Sequence, residues 1–165
     1  SERSRGLGDV YKRQLHLRIN LTATQRFLKF SIPALKESDK APSIIIIGSR
    51  NFAAPGPGAS AYSVTKAGVT QLARVAALEL APFGVRVNIL HPDAVFDTEI
   101  WTDEALEKSA KRYGMTVQEY KTKNLLSTEI TSSGVAALVS TVAGPVFSAT
   151  TGAQIPIDGG NDRVI

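Results

Sequence analysis

Four consecutive isoleucines, Ile44 to Ile47, follow Ser43 and are closed by Gly48 and Ser49. Branching at Cβ stiffens these side chains and favours extended backbone. A run of this length with no polar alternation has no side to give to water. It therefore reads as a strand buried on both faces of a parallel sheet. Ser49 emerges at its carboxyl end, the edge of an open α/β sheet at which ligands bind.

The flanking segments supply helices. Leu15 to about Leu35 has an apolar side of Leu17, Leu21, Phe27, Leu28 and Ile32, with Pro33 disfavouring the last turn. Arg50 to Ser60, rich in glycine, proline and alanine, reads as a loop over the site. Ala61 to Ala81 is the strongest helical pattern, with Val64, Gly68, Leu72, Val75, Ala76 and Leu80 on one side and Ala67 and Ala73 allowing close packing. Pro82-Phe83-Gly84 ends it. Val85 to Leu90 alternates and reads as the next strand, ending at His91-Pro92. Short helices are expected over Asp97 to Tyr113 and Thr116 to Lys123, a capped helix over Thr131 to Ala143, and a last strand over Ala153 to Ile157. No internal repeat or low-complexity segment interrupts this order.

Tyr62 and Lys66 lie four residues apart on the strongest helix, about 40° apart around its axis and roughly 6 Å apart at Cβ, so they share one face. A phenol is a poor acid or base at neutral pH, and an ammonium beside it favours the phenolate. Lys66 is spaced to supply that ammonium. A serine brought alongside, Ser49, could hold a substrate carbonyl oxygen while Tyr62 transfers the proton.

Ser49, Tyr62-Ser63-Val64-Thr65-Lys66 and Asn20 in Ile19-Asn20-Leu21-Thr22 resemble the Asn, Ser, Tyr and Lys set of the short-chain dehydrogenase/reductase family. Further matches are Ser43 to Gly48, Arg86-Val87-Asn88 with Pro92, Thr151-Gly152-Ala153, and Asp158-Gly159-Gly160. They extend over roughly residues 15 to 160. The resemblance implies an α/β fold: the C-terminal half of a Rossmann-like doubly wound parallel sheet, without its N-terminal nucleotide-binding half. It implies NAD or NADP as cofactor and a small alcohol or carbonyl substrate. Asn20, Ser49, Tyr62 and Lys66 would be catalytic, with Asn20 relaying protons through water to Lys66 and Lys66 also meeting the nicotinamide ribose. Cofactor contacts would come from Tyr62, Lys66, Pro92, Val95 and Thr98. Pro92-Asp93-Ala94-Val95 stands where the family usually has Pro-Gly-x-Val or Ile, so Asp93 departs from the pattern, and the following threonine is displaced by one to Thr98. The long helices suggest a homo-oligomer, as in the family. A narrower resemblance, carried by Asn124-Leu125-Leu126, Glu129-Ile130-Thr131, the Asp93 loop and Asp158-Gly159-Gly160-Asn161, is to the dehydrogenase half of bifunctional aldolase/short-chain dehydrogenase proteins. It implies a hydroxyaldehyde or sugar-derived substrate.

Composition narrows the alternatives. The chain has 165 residues, 43% of them apolar and 21% charged, as in one ordinary globular domain. It has no cysteine, which excludes disulfides and thiolate metal sites, and fits a reducing compartment. The expected location is the cytoplasm. His16 and His91 lack ligand-like neighbours and read as structural, so no metal is expected. No apolar run approaches the roughly 20 residues of a membrane span. Of the net charge of +4, the first fourteen residues supply half, and the remaining 15 basic and 13 acidic residues form no basic block. A nucleic-acid partner is not expected.

Residues 1–14 show neither helical nor strand periodicity, and Ser4 to Gln14 look like the in-frame translation of a sequencing adapter. Residues 15–165 are then the catalytic C-terminal part of the domain. The glycines at 56 and 58 follow the serine within a loop and do not form a nucleotide fingerprint. On this reading the chain alone binds nicotinamide cofactor weakly or not at all. Two rivals stand beside the enzyme: a non-catalytic Rossmann-like interaction module, which the sequence upstream of Leu15 would discriminate, and an extended-type epimerase or dehydratase, against which the Asp158-Gly159-Gly160 ending argues.

Overall fold

In the computed structural model, which describes residues 10–161, the isoleucine run forms β1 (Ser43–Ile47). It pairs in parallel with β2 (Arg86–Pro92), which pairs in parallel with β3 (Gln154–Ile157). The order is β1-β2-β3. Helix precedes and connects the strands: α1 (Val10–His16), a π-helical turn (Leu17–Thr22) and α2 (Ala23–Lys36) run on without a break before β1. Then follow α3 (Ser60–Leu80), α4 (Asp103–Arg112), α5 (Val117–Lys121) and α6 (Ser132–Ala143). The expected α/β, Rossmann-like parallel sheet is present.

Side chains of β2 alternate between two packed faces. Val87 and Ile89 meet Leu28 of α2, Ile46 of β1 and Val69, Ala73, Ala76, Ala77 and Leu80 of α3 in the main core. The opposite face carries Arg86 and Asn88, both buried. The Arg86 guanidinium donates to the carbonyls of Val142, Ala143 and Phe147, at 3.0, 2.7 and 3.0 Å, and so closes the carboxyl end of α6. Asn88 Nδ2 donates to Thr150 O at 2.8 Å, while its Oδ1 accepts from Ala153 N at 3.0 Å.

The structure corrects several expectations. Val10 to Gln14 are helical, whereas their sequence shows no period; every one of them is exposed, so no buried face imposes one. Residues 1–9 of the suspected adapter segment lie outside the described residues. Pro33 sits inside α2, which continues to Lys36. The strand covered on both faces is β2, since only Ile46 of the isoleucines is fully buried and Ile47 is 43% exposed. On α3, Val64 and Val75 face outward, while Thr65 and Thr70 are buried. Their hydroxyls donate to the backbone oxygens of Tyr62 and Lys66, at 2.7 and 2.8 Å, which removes the penalty of burying them. The helix expected from Asp97 begins only at Asp103, capped by Thr102.

Candidate active site

The carboxyl ends of β1 and β2, the start of α3 and the segment after β2 enclose a cleft of about 660 Å³. Ser49 follows β1 and its backbone is extended; its Oγ accepts from Asn51 N at 3.2 Å and so caps the short 3-10 turn Arg50–Phe52. Tyr62 lies in the first turn of α3 and Lys66 one turn later. Ser49, Tyr62, Lys66, Pro92, Val95 and Thr98 all line this cleft. Lys66 Nζ donates to Ile47 O at 2.9 Å, which ties α3 to the end of β1, and lies 5.7 Å from the centre of the Tyr62 ring. Burial pushes the Lys66 ammonium below the usual lysine range.

Asn20 does not line the cleft. It sits in the π-helical turn, its Nδ2 3.4 Å from His16 Nδ1 and its carbonyl accepting from Thr24 Oγ1 at 2.6 Å. Isolated π turns inside α-helices recur at functional positions. His16, which its sequence neighbours leave as a structural residue, is itself in the cleft wall, edge-on to Tyr62 with ring centres 6.0 Å apart. A helical spacing of four from Asn20 is the signal that could have found it.

The serine is held from behind. His91, at the end of β2, places Nδ1 3.2 Å from Ser49 O; a carbonyl only accepts, so Nδ1 carries the hydrogen. Phe52 stacks on the His91 ring at 3.9 Å. Burial is the main reason the imidazole is pushed below its ordinary range, with the Lys66 charge acting the same way.

Asp93, the departure from the family glycine, has its own structural account. Its backbone is not in the left-handed region, so glycine is not required there. Its carboxylate faces Arg50 at 3.5 Å and accepts from Asn161 Nδ2, while its N–H donates to Ile157 O at 3.1 Å. One residue thereby joins the segments that follow β1, β2 and β3. Beyond it, Asp97 accepts from Ser132 N and Oγ at the start of α6, which holds its carboxyl below the usual range. Thr98 Oγ1 donates to Val95 O at 2.8 Å. Val95 forms an isolated parallel bridge with Ile130. A second apolar cluster, Phe96, Leu106, Ala110 and Tyr120 with Trp101 packed on it, reaches the cleft wall through Tyr120 and Trp101.

A parallel sheet with helices on both faces and a cleft at its strands' carboxyl ends is the architecture of a Rossmann-like α/β protein. A family profile described as enoyl-(acyl carrier protein) reductase matches residues 10–162. The chain belongs to the short-chain dehydrogenase/reductase family. It is 33% identical over 155 residues to the uncharacterized oxidoreductase YuxG of Bacillus subtilis, which covers 90% of this chain and 22% of that protein. It is 29% identical over 143 residues to the NADH-dependent L-xylulose reductase of Ambrosiozyma monospora, covering 86% of this chain and 50% of the relative. A short-chain dehydrogenase family protein from Francisella tularensis superposes with a TM-score of 0.80 at 27% identity, over 94% of this chain and 64% of that one. The chain thus spans less than two thirds of each of these proteins. Among the described residues no helix is long and apolar enough to cross a membrane, and no group of three metal-ligating side chains occurs.

Proposed function

We propose that this chain carries the proton-transfer site of an NAD- or NADP-dependent oxidoreductase that interconverts an alcohol and a carbonyl. The observation that supports it most is the convergence of Ser49, Tyr62 and Lys66 on one cleft at the carboxyl ends of two parallel strands. The donor set suits a nicotinamide: the cleft combines an apolar strip of Ile47, Pro92 and Val95 with the Lys66 ammonium, and Lys66, Pro92, Val95 and Thr98 would hold the group. When bound, it supplies or accepts the hydride at the substrate carbon.

The chain's own residues handle the oxygen. In the oxidative direction the substrate hydroxyl gives its proton to Tyr62 as the hydride leaves the same carbon, and a carbonyl results; reduction runs the steps backwards. Ser49 Oγ holds the substrate oxygen beside the phenol. Lys66, fixed by Ile47 O, keeps a positive charge next to Tyr62. Asn20, behind the cleft wall, would connect Lys66 to water. A hydroxyaldehyde or sugar-derived substrate is supported by the sugar-reducing relative. Assembly with a second copy is part of this reading: Ile19, Phe27, Phe30, Val64 and Leu78 leave apolar surface on the outer sides of the π-helical turn, α2 and α3.

The test is Tyr62→Phe in the full-length protein that carries this chain, followed through the absorbance of the reduced nicotinamide. Turnover should fall at least about a hundredfold, the usual weight of a general acid/base, while circular dichroism stays unchanged. Wild-type turnover in the variant would sink the proposal.

A further inference from the structure

Asp93 is the single carboxylate among the described residues that line the cleft. It stands where the family usually has glycine, and its own backbone makes no demand for one. The Arg50 contact at 3.5 Å brings the carboxylate to the serine's side of the cleft, because Arg50 directly follows Ser49. Its charge also reaches the aromatic part of the wall: burial is the main reason the Tyr120 phenol is pushed up, and Asp93 adds to it.

Joining the segments that follow β1, β2 and β3 does not use up what this carboxylate offers. Two ionised oxygens provide about four acceptor positions and no donor. Arg50 Nη1 faces Oδ1 and Asn161 Nδ2 donates to Oδ2, so each oxygen is steadied by one partner within the protein. The side chain keeps 18% exposure and stands in the cleft wall. A fixed acceptor of this kind suits hydroxyl donors. An apolar substrate filling the cleft would strip water from these oxygens and return no hydrogen bond, at a cost in binding. Trp101, Tyr113 and Tyr120 offer flat apolar faces to the C–H edges of the same ligand, so a few placed polar groups meet an aromatic lining.

We infer that Asp93 binds substrate: its carboxylate accepts from hydroxyls beyond the reacting carbon, and the substrate is a polyol or the hydroxycarbonyl compound it becomes. This rests on the alcohol/carbonyl reading above, in which Ser49 and Tyr62 meet the reacting oxygen. Asp93 is then a determinant of specificity as well as a link between segments, since a site that hydrogen-bonds a hydroxyl rejects the analogue lacking it.

The 165-residue chain is titrated with xylitol and with pentamethylene glycol, the same five-carbon chain with hydroxyls only at its ends. NMR follows the Asp93 carboxyl carbon and the indole N–H of Trp101, the single tryptophan of the sequence. Xylitol should move both signals saturably and bind about tenfold or more tighter than the glycol. In Asp93→Asn, which keeps the shape of the side chain and removes its charge, that advantage should shrink to about twofold or less with circular dichroism unchanged. Equal binding of the two ligands, no saturable response to xylitol, or a response at Trp101 that leaves the Asp93 carboxyl carbon unmoved overturns the inference whatever the variant does. So does a folded variant that keeps the xylitol advantage. A failed Tyr62→Phe test would leave this binding result standing, and a failed titration would leave hydride transfer to be judged by that test.

Discussion

Gly48 and His91 approach so closely that a Cβ on the glycine would lie 2.5 Å from His91 Nδ1 and 2.7 Å from Cε1. The imidazole occupies the place of a side chain at position 48 and from there reaches the carbonyl of Ser49. The glycine is thus required for space, and the space is what lets β2 position the serine.

Gly48→Ala should therefore cost about 1–3 kcal/mol, the range for overpacking a filled interior. Gly56→Ala, in the loop above the cleft, meets nothing within 4 Å and serves as the control, with a change near zero. Urea denaturation of both variants checks this; equal midpoints would contradict the packing account.

His91 also predicts a response to acid. Its folded-state pKa is lowered from 6.5, chiefly by burial, so below 6.5 the unfolded chain binds the proton more readily. The stability associated with neutral His91 is present above 6.5 and is lost as pH falls through the lower folded value. Denaturation between neutral pH and pH 5 should show this loss in the wild-type chain and a flatter profile in His91→Phe. Parallel profiles would refute the assignment.

The same sign holds for Lys66 in a more alkaline window. Its pKa is lowered from 10.5 by burial, so between the folded value and 10.5 the unfolded state holds more protons. The Lys66 contribution to stability should rise with pH across that interval. Titration of the Lys66 side chain by NMR should give a folded value below 10.5, and a value at or above it would contradict the burial seen here.

Asp93→Gly restores the residue common in the family and should lower stability by about 1 kcal/mol, because the Arg50 pair is only partly shielded from water. The change should be larger than that for Glu107→Gly corrected for helix propensity, since Glu107 is exposed on α4 and Asp93 joins three segments. Thermal denaturation decides; an unchanged midpoint for Asp93→Gly would remove its structural account.

How legible all this was depends on how far each residue's partner lies along the chain. The isoleucine run announces a strand because stiffness and continuity are local properties. The rank of that strand in the sheet is not local, and the most enclosed strand turned out to be the one whose sequence alternates. Arg86 and Asn88 look like solvent-facing positions until their partners appear. Those partners, from Val142 to Ala153, stand more than fifty residues away. The threonines of α3 misled for a related reason: a hydroxyl that bonds its own helix backbone is apolar enough to bury. The spacing of Tyr62 and Lys66 was readable because one helix carries both. The basic residues of the cleft wall were not, since Arg112 ends α4, Lys123 follows α5, and only folding brings them to the cleft that Trp101 also lines.

The π-helical turn over Leu17–Thr22 makes chain length itself a determinant of the site. One residue added to an α-helix rotates everything before it by about 100° relative to everything after it. His16 meets Tyr62 from the amino-terminal side of that turn, while Leu28 enters the core from the other. Each of these contacts tolerates a change of residue type between them more readily than a change in the number of residues. A single deletion there, even of an exposed side chain such as Ile19, would leave both helices intact and aim one of them elsewhere.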